Sequence, residues 1–334
     1  MTGAGPAPAA LDPDGARAAI AAVAAACSGH VGLAARHLGT GEELSWNPDA
    51  TIGTASTVKV AIYAEALRQA RLGAVDLDAP VATRAADLTG GSGVLCVLRP
   101  GLRCTVADLC TLMIVISDNT ATNMLIDLLG GVDAVNRGIA SLGYPEIRLD
   151  HRVSIQPPPL VAAAPAQRVA AGPPQEPSAA PLATATPACL SRLLANLHAG
   201  TVVDRAASAQ MITTLRYQQD KSLFPRAYLE VAGPDERPGA RAPAISHKTG
   251  RVGDCRADTG LLYLPGNGEV VAYCAVADRL TDQTISELAE GEEILGRLGA
   301  IVLARWWPGP GPVPVRPGWL PNAGGPRPPI PAEG

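Results

Sequence analysis

The stretch "GTASTVKVAIY", residues 53–63, sets Ser56 three positions before Lys59. Of the 27 basic residues in this 334-residue chain, only those at 59, 221 and 248 are lysine. A chain that takes arginine for nearly all its positive charge keeps lysine where arginine cannot serve. Residues 57–72 carry apolar side chains at helical spacing, and a helix there puts Ser56 and Lys59 on one face. A serine hydroxyl is a weak nucleophile until a neighbour removes its proton. Burial and a nearby cation depress a lysine's pKa and free its amine for that task, whereas a guanidinium stays protonated.

Downstream, "SDN" (Ser117, Asp118, Asn119) follows an apolar run over 106–116, and "HKTG" places Lys248, Thr249 and Gly250 before a strand-like run. Two of the three lysines thus fall in motifs that hold hydroxyl groups.

Outside the motifs the pattern is mixed. A helix is predicted over 16–27, then a hairpin with strands near 31–38 and 42–46 about "GTG". Helices follow over 57–72, 106–116, 120–129, 132–142, 187–199 and 204–218. Two strands flank the Pro-Gly-Asn-Gly turn in "TGLLYLPGNGEVVAYCAVAD", and a last helix runs from 283 to about 305. Strands at both chain ends with a helical middle predict an α+β fold, a mixed α/β sandwich. An antiparallel sheet from both chain ends is flanked by helices beside an all-helical domain. The catalytic region is 11–305, its sheet part 11–56 and 220–305 and its helical part 57–219. Residues 1–10 are expected to be a flexible start, Pro157–Pro181 a long Pro/Ala-rich loop, and 306–334 a Pro/Gly-rich tail.

Composition narrows the function. Net charge near −4, no basic run, one Phe, four Trp and six Tyr give neither the field nor the stacking surface of a nucleic-acid binder. No stretch reaches the length of a membrane span. The N-terminal segment lacks a cationic start and carries Arg17 after an acidic cap, so it reads as a helix, not a signal peptide, and places the protein in the cytoplasm. The seven cysteines show no ligand spacing and read as buried thiols.

Together S-x-x-K, S-D-N and K-T-G, in this order, resemble the signature of serine β-lactamases and penicillin-binding proteins. "GSGVL", "RPGLRCTVADLCTLMIVISDNTATNMLIDLLGGVDAVN" and "LGYPEIRLD" resemble the helical domain of class A β-lactamases, and "KTGRVGDCRADTGLLY" their strand at the third motif. The resemblance covers roughly residues 15–305 apart from the Pro/Ala loop. It implies Ser56 as acylated nucleophile, with its N–H and that of Arg251 as oxyanion hole, and Lys59 as base. It implies that Ser117 passes a proton to the leaving nitrogen while Lys248 keeps the potential positive and Lys59 neutral. Asn119 orients the substrate amide, and Thr249, in the turn with Gly250, receives a substrate carboxylate together with Arg256. No metal or organic cofactor is implied.

One part of the family pattern is missing. Class A β-lactamases carry a glutamate shortly after an "R-L-D" like Arg148-Leu149-Asp150, and an asparagine four residues later. Together these position the deacylating water. Here "HRVSIQPPP" puts Val153 and Pro157 in those places, and Glu176 is the only acid from 151 to 186. Three classes stay open. One is a hydrolase of an amide, ester or β-lactam with another base, such as Asp150 or Glu176. Another is an acyltransferase to an amine or alcohol in natural-product biosynthesis. The third is a ligand-binding or sensor module that acylates once. The substrate is a small molecule in all three; the oligomeric state is not legible.

Overall fold

A computed structural model of the protein describes residues 11–157, 181–228, 242–266, 268–286 and 289–307. The expectations for 1–10 and for most of the Pro/Ala loop and the C-terminal tail lie outside these residues.

Helix α1 (Pro13–Ala26) opens with proline at its first position and Asp12 as cap, the carboxylate accepting the Gly15 N–H at 2.6 Å. The strands β1 (His30–His37) and β2 (Glu43–Trp46) form the predicted hairpin, and β3 (Ile52–Gly53) leads to a short 3-10 turn over Ala55–Val58. Helix α2 (Lys59–Arg71) begins only at the lysine, so the first turn of the predicted helix is wound tighter than the rest. The helical part contains a small ribbon of β4 (Pro80–Ala82) and β5 (Arg103–Thr105), then α3 (Val106–Val115), α4 (Asn119–Leu128) and α5 (Val132–Ser141). After β6 (Arg148–Leu149) and β7 (Ala183–Ala185), which pairs with both β6 and β3, come α6 (Pro187–Ala199) and α7 (Arg205–Arg216). The chain ends in β8 (Ala244–Val252), β9 (Cys255–Tyr263), β10 (Val270–Asp278) and α8 (Glu290–Trp306).

The main sheet has the order β2-β1-β10-β9-β8, with every neighbour antiparallel. The chain ends meet in its middle, where β1 pairs with β10 from His30↔Asp278 to His37↔Val271. β10 is buried at every position because helices cover both faces, and this is why "VVAYCAVAD" shows no polar alternation. One core packs α1 and α8 on one face of the sheet; the other joins the opposite face, through Leu261, Ala272 and Cys274, to the helical part. β8 is an edge strand with β9 as its single neighbour.

Two boundaries differ from the sequence reading. The K-T-G triplet lies inside β8, not before a strand. α8 starts at Glu290, not near 283, because Asp282 accepts both the Thr284 N–H at 3.0 Å and the Glu290 N–H at 3.2 Å, folding the preceding segment against the helix start.

Candidate active site

Ser56 sits in the 3-10 turn at the seam between sheet and helices. The residue before it, Ala55, has φ +45°, and Ser117 across the cleft has φ +59°. Left-handed backbone at two non-glycine residues costs on the order of 1–3 kcal/mol each, and the rest of the fold holds both in place. Both serines are half-buried, while Lys59 and Lys248 are fully buried.

Lys59 Nζ lies 2.7 Å from the Ser117 carbonyl oxygen, 2.8 Å from Asn119 Oδ1 and 3.1 Å from Ser117 Oγ. Burial first, and the Lys248 cation second, hold its pKa well below the ordinary lysine range, while Asp118 pulls the other way. Lys59 Nζ donates to both carbonyl oxygens and to the Ser117 hydroxyl oxygen. The Ser56 hydroxyl makes no hydrogen bond among the described residues, so for Lys59 to take its proton the amine must turn from Ser117 toward Ser56.

The turn carrying Ser117 is fixed by the residue after it. Asp118 caps α4 through the Ala121 N–H at 2.9 Å and accepts the N–H groups of Val94 and Leu95 at 2.7 and 2.9 Å. Asn119 donates to the Gly90 carbonyl at 2.9 Å, so its amide is held on both sides.

From the opposite wall, β8 lies flush against the nucleophile turn. A Cβ placed on Gly250 would stand 2.9 Å from the Ser56 nitrogen and 2.9 Å from the Thr54 oxygen. Only glycine allows this approach, which brings the β8 backbone beside the Ser56 N–H. Lys248 donates to the Thr249 carbonyl at 2.6 Å. Desolvation pushes its pKa down to about 7, against the pull of Asp220 and Asp258.

The structure thus joins Lys59 to Ser117 and Asn119, lays Gly250 against the Ser56 backbone, and carries Lys248, Thr249 and Arg251 on the same strand as Gly250. It takes Arg256 elsewhere. That side chain is fully buried, donating to Glu292 at 2.9 Å and to the carbonyls of Gly253, Cys255 and Thr284, so its donors are spent away from the cleft. Asp150 pairs with Arg148 at 3.0 Å, and Glu176 lies outside the described residues. Asn123, which the sequence reading passed over, fixes the loop after β6: its Nδ2 donates to the Val153 carbonyl at 2.8 Å and its Oδ1 accepts the Val153 N–H at 2.9 Å. Ile155 reaches the same wall, since a Cβ on Gly91 would meet its Cδ1 at 3.0 Å and Asn119 Nδ2 at 2.8 Å. Among the described residues no three His, Cys, Asp or Glu side chains converge as a metal site needs.

An antiparallel five-stranded sheet built from both chain ends, with S-x-x-K, S-D-N and K-T-G meeting at its edge, defines a serine enzyme of the β-lactamase and penicillin-binding protein superfamily. Residues 15–306 match the model of the beta-lactamase enzyme family, and the chain belongs to that family. It is 28% identical to β-lactamase L2 of Stenotrophomonas maltophilia over 83% of this chain and 84% of that protein. It is also 28% identical to a β-lactamase of Rhodobacter capsulatus over 82% of each. Among solved structures, a β-lactamase from Sphaerobacter thermophilus is similar with a TM-score of 0.70 and 32% identity, covering 88% of this chain and 97% of its own. A point mutant of PBP-A, in an acyl-enzyme complex with penicillin G, shares the fold at a TM-score of 0.70 and 22% identity over 89% of this chain and 97% of its own.

Proposed function

We propose that the protein is a serine acyl-enzyme that opens an amide, ester or β-lactam on Ser56 and discharges the acyl group to water only slowly, favouring an amine acceptor. The observation that carries this is Lys59, buried, with its pKa pushed well down and held against Ser117 and Asn119; the sequence supports slow deacylation by setting Val153 where the family pattern has its glutamate.

Ser56 Oγ attacks the carbonyl as its proton passes to Lys59, and the oxyanion is received by the N–H groups of Ser56 and Arg251. The bond to the leaving group breaks as Ser117 delivers a proton to it, replenished from Lys59 at 3.1 Å. Lys248 supplies the positive potential that keeps Lys59 neutral, Asn119 orients the substrate amide, and Thr249 meets a substrate carboxylate. Water arriving at the ester finds Val153 in place of a base. An amine is the stronger nucleophile and returns its proton through Ser117 and Lys59 by the reverse of acylation.

The test is intact-mass measurement after incubation with a panel of β-lactams, esters and amides, with and without amines. A long-lived adduct on the Ser56 peptide, discharged faster by amine than by buffer, is expected. Fast turnover of a β-lactam in buffer with no adduct overturns the slow-deacylation reading, and an adduct that nothing discharges indicates a ligand-binding module.

A further inference from the structure

Arg251 stands directly after K-T-G near the end of the edge strand β8, paired with Arg256 of β9. Its side chain is tied down on the outer side. Nε donates to Glu292 at 3.0 Å, and Nη1 and Nη2 fork the carboxylate of Asp220, with Nη2 also reaching the Ser222 hydroxyl. Glu292 is itself buried in the first turn of α8 and takes Arg256 at 2.9 Å on the same oxygen. Ser222 donates to Asp220 at 2.6 Å, closing the fork.

The Asp220 end of this fork is tied to the other wall of the cleft. The Asp220 N–H donates to Gln218 at 3.1 Å, Gln218 Nε2 donates to the Ile114 carbonyl at 2.8 Å, and the Gln219 N–H donates to the Val115 carbonyl at 3.0 Å. Those carbonyls belong to the last turn of α3, immediately before Ser117. Hydrogen bonds and the short segment 218–220 therefore link the end of β8, through a planar guanidinium, to the last turn of α3, two residues before Ser117.

We propose that the Arg251 side chain is a strut between the two walls of the cleft, a positioning residue that fixes its own backbone N–H relative to Ser56 and Ser117. This rests on the oxyanion role given to that N–H in the acyl-enzyme reading. Arginine suits the task because its planar fork engages three acceptors in fixed geometry, which lysine cannot do. Asp220, Ser222 and Glu292 act through Arg251 and touch no substrate.

The test uses the full chain and p-nitrophenyl acetate, comparing Arg251→Lys, Asp220→Asn, Ser222→Ala and Glu292→Gln with the parent. Each variant is expected to acylate about tenfold to about hundredfold more slowly at saturating ester, with the half-saturation concentration changed little, since a misplaced donor weakens the transition state more than the ground state. Infrared difference spectra of the acetylated protein supply a readout that folding alone does not move. The ester carbonyl stretch shifts to higher frequency in the variants, because a displaced oxyanion donor polarises the carbonyl less. Ser222→Ala is the mild member of the set and keeps the comparison open if a charge deletion unfolds the chain. Carbonyl frequencies identical to the parent in every folded variant overturn the strut while leaving Ser56 acylation intact. A parent protein that forms no acetyl adduct overturns the acyl-enzyme reading and the strut with it.

Discussion

Asn123 holds both backbone polar groups of Val153, its carbonyl at 2.8 Å and its N–H at 2.9 Å. The backbone at this position is set by a side chain thirty residues upstream and not by the residue it carries.

Val153→Glu is therefore expected to display a carboxylate on an unchanged loop. General-base catalysis contributes about 10²–10⁴-fold, and the lifetime of the Ser56 adduct in buffer should shorten by a comparable factor. Time-resolved intact mass after acylation checks this. An unchanged lifetime would show that this loop position does not face the ester.

Replacing Lys59 by arginine should cost as much as replacing it by alanine, about 10²–10⁴-fold in acylation, because the buried cleft asks for a neutral amine and a guanidinium has no lone pair to offer. Stopped-flow acylation by a reactive ester reads it, with Ser56→Ala as the variant that forms no adduct. Near-parental rates in Lys59→Arg would mean that the residue supplies only charge.

The two lysines are expected to give acylation a rising and a falling pH limb. Lys59 is needed neutral, so the rate rises as pH climbs through its depressed pKa; Lys248 is needed charged, so the rate falls as pH passes about 7. The Lys248 charge contributes to the lowering of the Lys59 pKa, after burial. Lys248→Arg should leave the rising limb and move the falling limb out of the accessible range. A falling limb that stays near 7 in that variant would assign it to another group.

Burying Lys248 also costs stability. Its folded pKa lies below the ordinary 10.5, so between about 7 and 10.5 the unfolded chain binds a proton that the folded one lacks, and stability rises with pH across that window. Below 7 the cost is present in full. Lys248→Met should raise Tm by roughly a few degrees near pH 6 and by little near pH 10, while abolishing acylation. A variant less stable at both values would mean that the contact to the Thr249 carbonyl outweighs desolvation.

Local pattern made much of this legible. The helices α1 to α7 and the hairpin strands announce themselves by period and caps, and Ser56, Lys59, Ser117 and Lys248 by motif. What stayed hidden depends on contacts with no sequence period. The Arg251 fork joins residues 220, 222 and 292 from three elements, Asn123 acts on a loop beyond its own helix, and Arg256 is drawn to Glu292 by a helix packed later in the chain. α8 starts at Glu290 because Asp282, a single capping carboxylate, folds the preceding segment back.

The pairing of β1 with β10 has a consequence for timing during synthesis. Ser56 and Lys59 leave the ribosome long before Lys248, and at about 5–20 residues per second the interval is on the order of ten seconds or more. Until β8 to β10 arrive, β1 has only its hairpin partner, and Lys59 has neither the burial nor the neighbouring cation that lower its pKa. A nascent chain is therefore expected to carry an unactivated serine. The same dependence suits the protein to a two-piece design: fragments that separate the S-x-x-K and K-T-G segments are each expected to be silent, with reassociation through β1 and β10 expected to restore the site.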